Sequence, residues 1–173
     1  MKRTILVAGL ILAIAVLAVT SQTQPASNAT VAVAFTGLEG TLLTALGQTG
    51  RTLDAAVYDL TLDSVFTTLQ ALNAKGVTAR ILLSTEGGGG QKERELCQKL
   101  DALDKVEVRR RSNMHHKFAI LDGAITLTGS MNWTPTSTKE EANNLVTIRS
   151  AEIAAQYKAE FERLWISAKS GCQ

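Results

Sequence analysis

Residues 114–132 read MHHKFAILDGAITLTGSMN, with two histidines and a lysine ahead of two apolar runs. Two short apolar runs flank the dipeptide Asp122-Gly123, which is typical of a tight hairpin turn. Side chains two residues apart on a strand point to the same face, so His115 and Lys117 share a face and His116 points away. The stretch therefore predicts a β-hairpin that carries a histidine and a lysine side by side at its open end.

The returning strand brings Ser130 and Asn132 to the same end of the hairpin. Imidazole, ammonium, hydroxyl and carboxamide groups that converge among small residues form a natural receptor for the oxygens of a phosphate. On spacing alone, a surface hairpin whose polar ends are incidental explains the pattern equally well. Both interpretations stay open at this point.

The remainder of the chain predicts a layered α/β sheet flanked by helices, within a length that suits one domain. β-branched or apolar runs predict strands at 31–35, 52–58, 77–84, 106–109 and 145–148. Helices are predicted by four local signals: the capping-box spacing of Thr36 and Glu39, the helix end at Lys75-Gly76, the periodic segment 91–103, and the N-cap Ser150. The glycine run 87–90 lacks a phosphate-binding pattern, which favours a flexible loop.

The first 29 residues are typical of a secretory signal peptide. Lys2 and Arg3 precede an apolar run over residues 5–19, which is short for a membrane span of about 20 residues. An uncleaved membrane anchor is the alternative. In either case residues 30–173 form the functional domain, and we expect it to be exported to the periplasm or secreted. Cys97 and Cys172 could pair in such an oxidising compartment, or remain a buried and a free thiol.

Charge and composition narrow the function classes. Without Lys2 and Arg3 the chain has 16 basic and 16 acidic residues, so no globally basic surface is expected. Any attraction to phosphate must be local, and the adjacent residues Arg109, Arg110 and Arg111 are the candidates for binding flanking phosphates. The only two histidines are adjacent and no cysteine has ligand spacing to them, so a zinc site is not expected.

The pattern His-x-Lys-x4-Asp-x6-Gly-Ser-x-Asn is complete in this sequence, at His115, Lys117, Asp122, Gly129, Ser130 and Asn132. It resembles the HKD motif of the phospholipase D superfamily. Further stretches, including residues 33–35, 58–61 and 75–77, are similar to small single-motif bacterial endonucleases of the Nuc type. The resemblance covers the chain from Val31 to Trp165 and implies a phospholipase D-like layered sheet with one motif per chain.

This resemblance also implies a site and a mechanism. Single-motif members complete their active site by homodimerisation, with one motif from each subunit. His115 of one subunit would attack phosphorus to form a phosphohistidine, while His115 of the other would protonate the leaving oxygen. Lys117 and Asn132 would hold the non-bridging oxygens with support from Ser130, and Asp122 would have an orienting, structural role. The family requires no metal or other cofactor.

One position departs from the family pattern. Relatives usually carry a Glu-Asn pair just after the motif, and its glutamate is expected to stabilise the charged histidine. The corresponding residues here are Asn143 and Asn144. An asparagine accepts a hydrogen bond but cannot balance a positive charge. Glu141 or Glu140 could supply the carboxylate after a small shift, and otherwise the rate could fall.

Three functions follow from the resemblance. An exported nuclease without sequence preference, acting on DNA or RNA, is favoured by the small single-motif architecture and by the three arginines that lead into His115. A phospholipase or phosphatidyl transferase would require an apolar groove or interfacial helix near the site. A nucleic-acid-binding relative weakened by the change at Asn143 is the third hypothesis.

Overall fold

The computed structural model describes residues 28–172, which form an eight-stranded sheet with helices on both faces. In chain order the elements are β1 (Thr30–Ala34), α1 (Leu38–Gly47), β2 (Thr52–Val57), α2 (Asp63–Ala74), β3 (Thr78–Ser84), α3 (Gly90–Asp101), β4 (Val106–Arg111), β5 (Lys117–Leu121), β6 (Ile125–Gly129), α4 (Pro135–Lys139), β7 (Leu145–Arg149), α5 (Ala151–Ile166) and β8 (Lys169–Ser170). The predicted signal peptide or anchor lies outside the described residues, except for its last two. Within residues 28–172 no helix is both long and apolar enough to cross a bilayer.

The strand order, β1-β7-β6-β5-β2-β3-β4-β8, places the hairpin in the middle of the sheet. β2, β3 and β4 are parallel, and every other neighbouring pair is antiparallel. Because β5 runs opposite to β2, the carboxyl end of β2 meets the amino end of β5, with Val57 beside Lys117. The carboxyl end of β6 lies at the same edge, where Gly129 pairs with Leu145. This end of the strands therefore brings together the motif residues other than Asp122.

Two apolar cores hold the helices on the sheet. The first lies beneath α1, α2 and α3 and includes Ala55 and Val57 of β2. The second lies beneath α5, where Phe161 and Trp165 pack against Ala56 of β2. β2 supplies both cores because successive strand residues point to opposite faces and both faces are covered. This confirms the predicted layered α/β fold.

The predicted capping box at Thr36 is wrong. The N-cap of α1 is Gly37, in the left-handed conformation with φ 60°, and no side chain caps the helix. Glycine takes this conformation without a steric penalty, so the helix starts after Gly37 and Thr36 is not its N-cap. Glu39 instead accepts a hydrogen bond of 2.8 Å from Ser64 Oγ of α2, so it contributes to helix packing.

Most other predicted elements are present, with two additions. Ser150 caps α5 as expected, since its hydroxyl accepts a hydrogen bond from Ile153 N. The strand predicted at 106–109 continues to Arg111, and the short elements α4 and β8 were not predicted. Cys97 and Cys172 form a disulfide, which settles the alternative left open by the sequence.

The edge strand β1 leaves apolar side chains uncovered. Val31 and Val33 are 55% and 52% exposed, and Phe35, just beyond the strand, is 72% exposed. Ala34 pairs with Leu145, which also pairs with Gly129, so Phe35 follows β1 at the edge of the sheet that carries the motif. Phe35 therefore lies at the same end of the strands as the motif, with β7 between β1 and β6.

Candidate active site

His115 and Lys117 are held together at the start of β5. Lys117 Nζ lies 3.2 Å from His115 Nδ1 and donates a 3.0 Å hydrogen bond to the carbonyl oxygen of His115. Tyr58, which follows β2, packs its ring against the imidazole with centroids 4.2 Å apart. Lys117 Nζ also lies 4.9 Å from the centre of the Tyr58 ring, within the range of a cation–π contact. The predicted pair is therefore fixed by a tyrosine that the motif does not include.

His116 points away from this pair, as the strand alternation predicts. Its Nε2 lies 3.2 Å from Glu160 Oε1 of α5, and its ring meets Phe118 edge-on. His115, by contrast, has no hydrogen-bonded carboxylate among residues 28–172. The histidine of the motif thus lacks, within one chain, the partner that would stabilise its charged form.

The end of β6 is pinned to the segment before β7. Gly129 has φ 147°, and a Cβ at this position would lie 2.3 Å from the carbonyl oxygen of Asn144. Ser130 Oγ donates to Asn143 Oδ1 at 2.7 Å and accepts from Asn144 N at 3.1 Å. Since the hydroxyl proton is already committed, Ser130 acts as a bracket for the backbone. It is not placed to donate to a phosphate unless this bond breaks.

Asn132 lies between two buried residues, Met131 and Trp133. Trp133 N donates to the carbonyl oxygen of Asp59 at 3.0 Å, which ties this segment to the end of β2. The side-chain oxygen of Asn132 is buried without a hydrogen-bond partner. Buried polar atoms are normally paired, so this oxygen is an unsatisfied acceptor within the described residues.

Asp122 lies at the opposite end of β5 from the site. Its carboxylate accepts backbone hydrogen bonds of 2.8–2.9 Å from Gly50, Arg51 and Thr52, and its own φ is 54°. Burial alone would raise the pKa of Asp122, but these amides outweigh it and hold the pKa below its usual value. Asp122 therefore anchors the hairpin turn and contacts none of the other motif residues.

A family model described as "Cardiolipin synthase, PLD-like domain" matches residues 42–165, most of the chain. The chain belongs to the phospholipase D-like family. The expected resemblance to the phospholipase D superfamily is thereby confirmed.

Curated relatives and solved structures agree with this family. The mitochondrial cardiolipin hydrolases of Chlamydomonas reinhardtii and Xenopus tropicalis are 31% identical over 125 residues and 32% identical over 132 residues. These matches cover 69% and 72% of this chain but only 54% and 59% of the relatives, so the chain spans little more than half their length.

Two solved structures share the fold. Nuc from Salmonella typhimurium, a phospholipase D family member, has a TM-score of 0.78 at 20% identity, over 84% of this chain and 100% of Nuc. NucT from Helicobacter pylori has a TM-score of 0.75 at 15% identity, over 83% of this chain and 99% of NucT.

The three adjacent arginines do not act together. Arg110 also lines the cleft of Arg111, but it is 8% exposed, donates to the carbonyl oxygen of Ser84 at 2.8 Å and lies 3.8 Å from Glu93, so its role in phosphate binding stays a prediction. Arg109 stacks on Trp165 at 4.5 Å and is paired with Glu107. Arg111 alone has no acidic partner among the described residues. Strand alternation explains why the three arginines have different surroundings, because it directs the side chain of Arg110 to the face opposite those of Arg109 and Arg111.

Arg111 lines a second cleft beside the motif. The cleft has a volume of about 350 Å³ and is bordered by Ser112, Asn113 and Lys169. Like Arg111, Lys169 has no acidic partner within residues 28–172. The segment 112–114 leads from this cleft directly to His115, whose own cleft, of about 420 Å³, lies between the hairpin and α5.

Glu141 reaches the site through Asn143. Asn143 Nδ2 donates to Glu141 Oε2 at 2.9 Å and to the carbonyl oxygen of Ser137, while Asn143 Oδ1 accepts from Ser130. Hydrogen bonds from Ser137 and Asn143 hold the pKa of Glu141 below its usual value. The carboxylate expected at Asn143 is thus present one hydrogen bond further away, at the first of the two alternative positions. Among the described residues, neither Glu140 nor Glu141 forms a hydrogen bond with His115.

Installing the family's glutamate at position 143 should destabilise the protein. In Asn143→Glu, a carboxylate would replace the amide that now donates to Glu141 and Ser137, leaving two carboxylates in contact and a carbonyl without a donor. We expect a lower midpoint of urea denaturation at neutral pH, because the new carboxylate repels Glu141 and no longer donates to the carbonyl oxygen of Ser137.

The matched control is the double variant Glu141→Gln/Asn143→Glu, in which the glutamine amide donates to the new carboxylate. We expect it to recover most of the lost stability. Equal midpoints for the single and double variants would contradict the Glu141–Asn143 contact.

Proposed function

We propose that this protein is an exported phosphodiesterase that cleaves nucleic acid without a metal, as a homodimer, through a phosphohistidine intermediate. The observation that carries the proposal is the juxtaposition of two features at one edge of the sheet. These are the His115–Lys117 pair and the adjacent cleft that presents the unpaired cations Arg111 and Lys169. A polynucleotide offers several phosphates to such a surface, and neutralising them is the main source of its affinity for proteins.

The separation of the two clefts suits one strand of nucleic acid. β5 and β4 are separated by β2 and β3, which corresponds to about 14 Å across the sheet. A single strand that enters the His115 cleft would extend over Arg111 within a few nucleotides, inside the site size of about 4–16 nucleotides common for such proteins. Contacts of this kind are made to the backbone, so we expect little sequence preference.

The proposed chemistry requires two histidines. His115 Nε2 attacks phosphorus and forms the P–N bond, while the partner subunit's His115 gives its proton to the leaving oxygen as the P–O bond breaks. Water then gives a proton to the partner subunit's His115 and attacks phosphorus, which breaks the P–N bond and releases the phosphate product. Each chain supplies one of the two histidines, His115, since His116 is directed to Glu160. The second histidine must then come from another chain, which favours a homodimer.

Lys117 and Asn132 are the proposed ligands of the non-bridging oxygens. Lys117 already lies against the imidazole, and Asn132 lies on the segment that Trp133 ties to the end of β2. A fixed ammonium and an amide donor near phosphorus stabilise the charge that develops in the transition state. Ser130 supports these residues by holding the end of β6, and Asp122 by anchoring the other end of the hairpin.

Two observations support export. The predicted signal peptide precedes the described residues, and the Cys97–Cys172 disulfide suits an oxidising compartment. The proposed location is the periplasm or the medium, with membrane attachment only if the N-terminal segment is retained.

The decisive experiment compares substrates under metal-free conditions. Purified protein would be incubated in EDTA with plasmid DNA, with single-stranded DNA and RNA, and with vesicles that contain cardiolipin, beside a His115→Ala variant. We expect nucleic acid to be cut by the wild type only, and to be cut in EDTA. Activity lost in EDTA and restored by metal would refute the proposed mechanism.

Phospholipid hydrolysis is the second candidate function. Phe35, Val33 and Val31 form an exposed apolar surface along the edge strand β1, as an enzyme acting at a lipid surface requires. Curated relatives are also named mitochondrial cardiolipin hydrolases. Release of phosphatidic acid from the vesicles, with nucleic acid left intact, would favour this function. Inactivity on every substrate, together with retained binding of nucleic acid, would favour the non-catalytic alternative.

A further inference from the structure

Tyr58 lies in the middle of a continuous set of contacts that joins the His115 cleft to the Arg111 cleft. It follows β2 directly, and its backbone N donates to the carbonyl oxygen of His116 at 2.8 Å. The pairing of β2 with β5 therefore continues for one residue beyond β2, into the segment just before Lys117. The sheet itself thus sets the position of this tyrosine beside the site.

The ring of Tyr58 contacts both members of the His115–Lys117 pair. Its centroid lies 4.2 Å from that of the His115 ring, with 47° between the two planes, and 4.9 Å from Lys117 Nζ. Lys117 Nζ and His115 Nδ1 are themselves 3.2 Å apart, so the two groups repel each other once the imidazole is protonated. The electron-rich face of an aromatic ring attracts a cation and offsets part of this repulsion.

The hydroxyl of Tyr58 is fixed by the loop that follows β3. Its Oη donates to the carbonyl oxygen of Glu86 at 2.8 Å. Glu86 N in turn donates to Ser84 Oγ at 3.0 Å, and Ser84 is fully buried at the end of β3. The carbonyl that holds the hydroxyl is therefore itself tied to the interior of the sheet.

The glycine run that continues this loop is packed on the end of β2, which corrects the expectation of a flexible loop. A Cβ on Gly87 would lie 2.6 Å from the carbonyl oxygen of Tyr58. A Cβ on Gly89 would lie 2.7 Å from Asp59 Oδ1 and 2.6 Å from Thr61 Cγ2. No side chain fits at either position, so these glycines allow the loop to lie directly against the residues after β2.

The side chain of Glu86 extends the same set of contacts to the Arg111 cleft. Its Oε1 accepts a 3.2 Å hydrogen bond from the backbone N of Asn113. Asn113 borders that cleft and has φ 53°, the left-handed conformation of a tight turn. It lies two residues before His115. One loop residue therefore holds both the tyrosine and the turn that leads from one cleft to the other.

We propose that Tyr58 is a positioning residue of the site, whose ring keeps His115 and Lys117 side by side. Its hydroxyl, bound to Glu86, fixes this pair relative to the Arg111 cleft. The proposal rests on the proposed function of the pair but concerns residues that the motif does not contain. Misplacing a reacting group by about 1 Å can lower a rate about 10²-fold, so the tyrosine should matter for the chemical step more than for substrate binding.

The two histidines of the chain allow a test that requires no activity. Their ring protons would be followed by NMR and assigned from the His115→Ala and His116→Ala variants. We expect Tyr58→Leu to shift the His115 signals towards those of an exposed histidine, because the neighbouring aromatic ring is lost. Tyr58→Phe keeps the ring and should leave these signals near their wild-type positions. The His116 signals should be unchanged in both variants, since that ring packs on Phe118.

Kinetics gives a second readout on the substrate that the wild type cuts. Tyr58→Leu should lower kcat about 10²-fold. KM should stay close to the wild-type value, because the cations of the other cleft, Arg111 and Lys169, are kept. Tyr58→Phe should recover most of kcat, with a remaining loss of no more than about tenfold for one hydrogen bond. A merely structural role would change the unfolding midpoint and leave kcat per folded molecule unchanged.

Hydrogen exchange at the Asn113 amide tests the link between the clefts. Glu86→Ala removes the acceptor of this amide and should make its exchange faster. Glu86→Gln is the matched control, because its side-chain oxygen can still accept the bond. We expect Tyr58→Phe to accelerate the exchange as well, since the loop loses the hydroxyl that holds it. A wild-type exchange rate in Tyr58→Phe would overturn the role assigned to the hydroxyl.

The failure of this proposal and the failure of the proposed function are distinguishable. Unchanged His115 signals in a folded Tyr58→Leu variant, or equal losses of kcat in Tyr58→Leu and Tyr58→Phe, would overturn the role assigned to the ring. A wild type that cuts no substrate would overturn the proposed function, while the NMR result would still decide whether Tyr58 holds the imidazole. Should Tyr58→Leu fail to fold, Tyr58→Met provides the second test, with the same shift of the His115 signals expected.

Discussion

Replacing His115 by alanine is expected to lower phosphodiesterase activity by a factor of about 10⁴–10⁶, the range found when a nucleophile or its base is removed from an enzyme. The expected loss is this large because the same residue serves twice in the proposed dimer, as nucleophile and as general acid. The fold should be unaffected, since the ring of His115 contacts only Tyr58 and Lys117 at the surface. Rates would be measured at saturating substrate, and unfolding midpoints compared to exclude misfolding.

Mixed dimers test the more specific claim that each site needs a histidine from both subunits. Wild-type and His115→Ala chains would be unfolded together in known ratios and refolded, so that subunits combine at random. If one site requires two intact chains, activity should fall as the square of the wild-type fraction, to about a quarter at equal amounts. A linear fall to one half would show that each chain acts alone, and would refute the shared site.

His116→Ala is the control for both experiments. It removes the neighbouring imidazole, which lines the same cleft as His115 but lies 3.2 Å from Glu160 instead of beside Lys117. We expect it to keep activity within about threefold of the wild type, and to give no quadratic dependence on subunit ratio. Loss of activity comparable to that of His115→Ala would mean that the strand alternation does not decide which histidine reacts.

The sequence predicts the directions of the His115, His116 and Lys117 side chains, because these depend on the alternation along a single strand. A period of two residues places His115 beside Lys117 and sends His116 to the other side, and the structure has this arrangement. The Asp122-Gly123 turn fixes the register that returns Ser130. The same alternation separates the surroundings of Arg110 from those of Arg111, which the treatment of three adjacent charges as one cluster did not take into account.

The rest of the site depends on contacts between residues distant in sequence. Tyr58 joins the site because β2 is antiparallel to β5, a pairing that apolar runs do not specify. Glu86 reaches Tyr58 only because the glycine run folds over the end of β2. The relay from Glu141 through Asn143 depends on the conformation of an irregular segment. One signal was accessible, since polar residues directly after a buried parallel strand are frequent at functional sites.

Breaking the disulfide between Cys97 and Cys172 is expected to cause the largest loss of stability. The bridge joins residues 75 apart in sequence, connecting α3 to the tail beyond β8. Closing a loop of this length lowers the entropy of the unfolded chain, and the chain-entropy relation gives about 4 kcal/mol. For a chain of this size such a loss corresponds to a drop of roughly 10–15 °C in Tm.

The tail held by the bridge also completes the sheet, so the loss should not be entropic alone. β8 pairs with β4, Gly171 N donates to the carbonyl oxygen of Val108 at 2.9 Å, and the carbonyl oxygen of Cys172 accepts from Arg110. The tail thereby carries Lys169 to the cleft beside Arg111. We expect the reduced protein to bind single-stranded DNA more weakly at low salt, in addition to unfolding earlier.

Reduction of the wild-type protein is the cleanest measurement, because it breaks the bridge without changing the side chains that fill the core. Denaturation curves would be recorded with and without dithiothreitol, for the wild type and for Cys97→Ala/Cys172→Ala. The reductant should lower the midpoint of the wild type only, and the reduced wild type should approach the double variant. An unchanged wild-type midpoint in dithiothreitol, with free thiols verified by titration, would show that the bridge does not stabilise the fold. A shift of the double variant in dithiothreitol would instead reveal an effect of the reductant unrelated to the bridge.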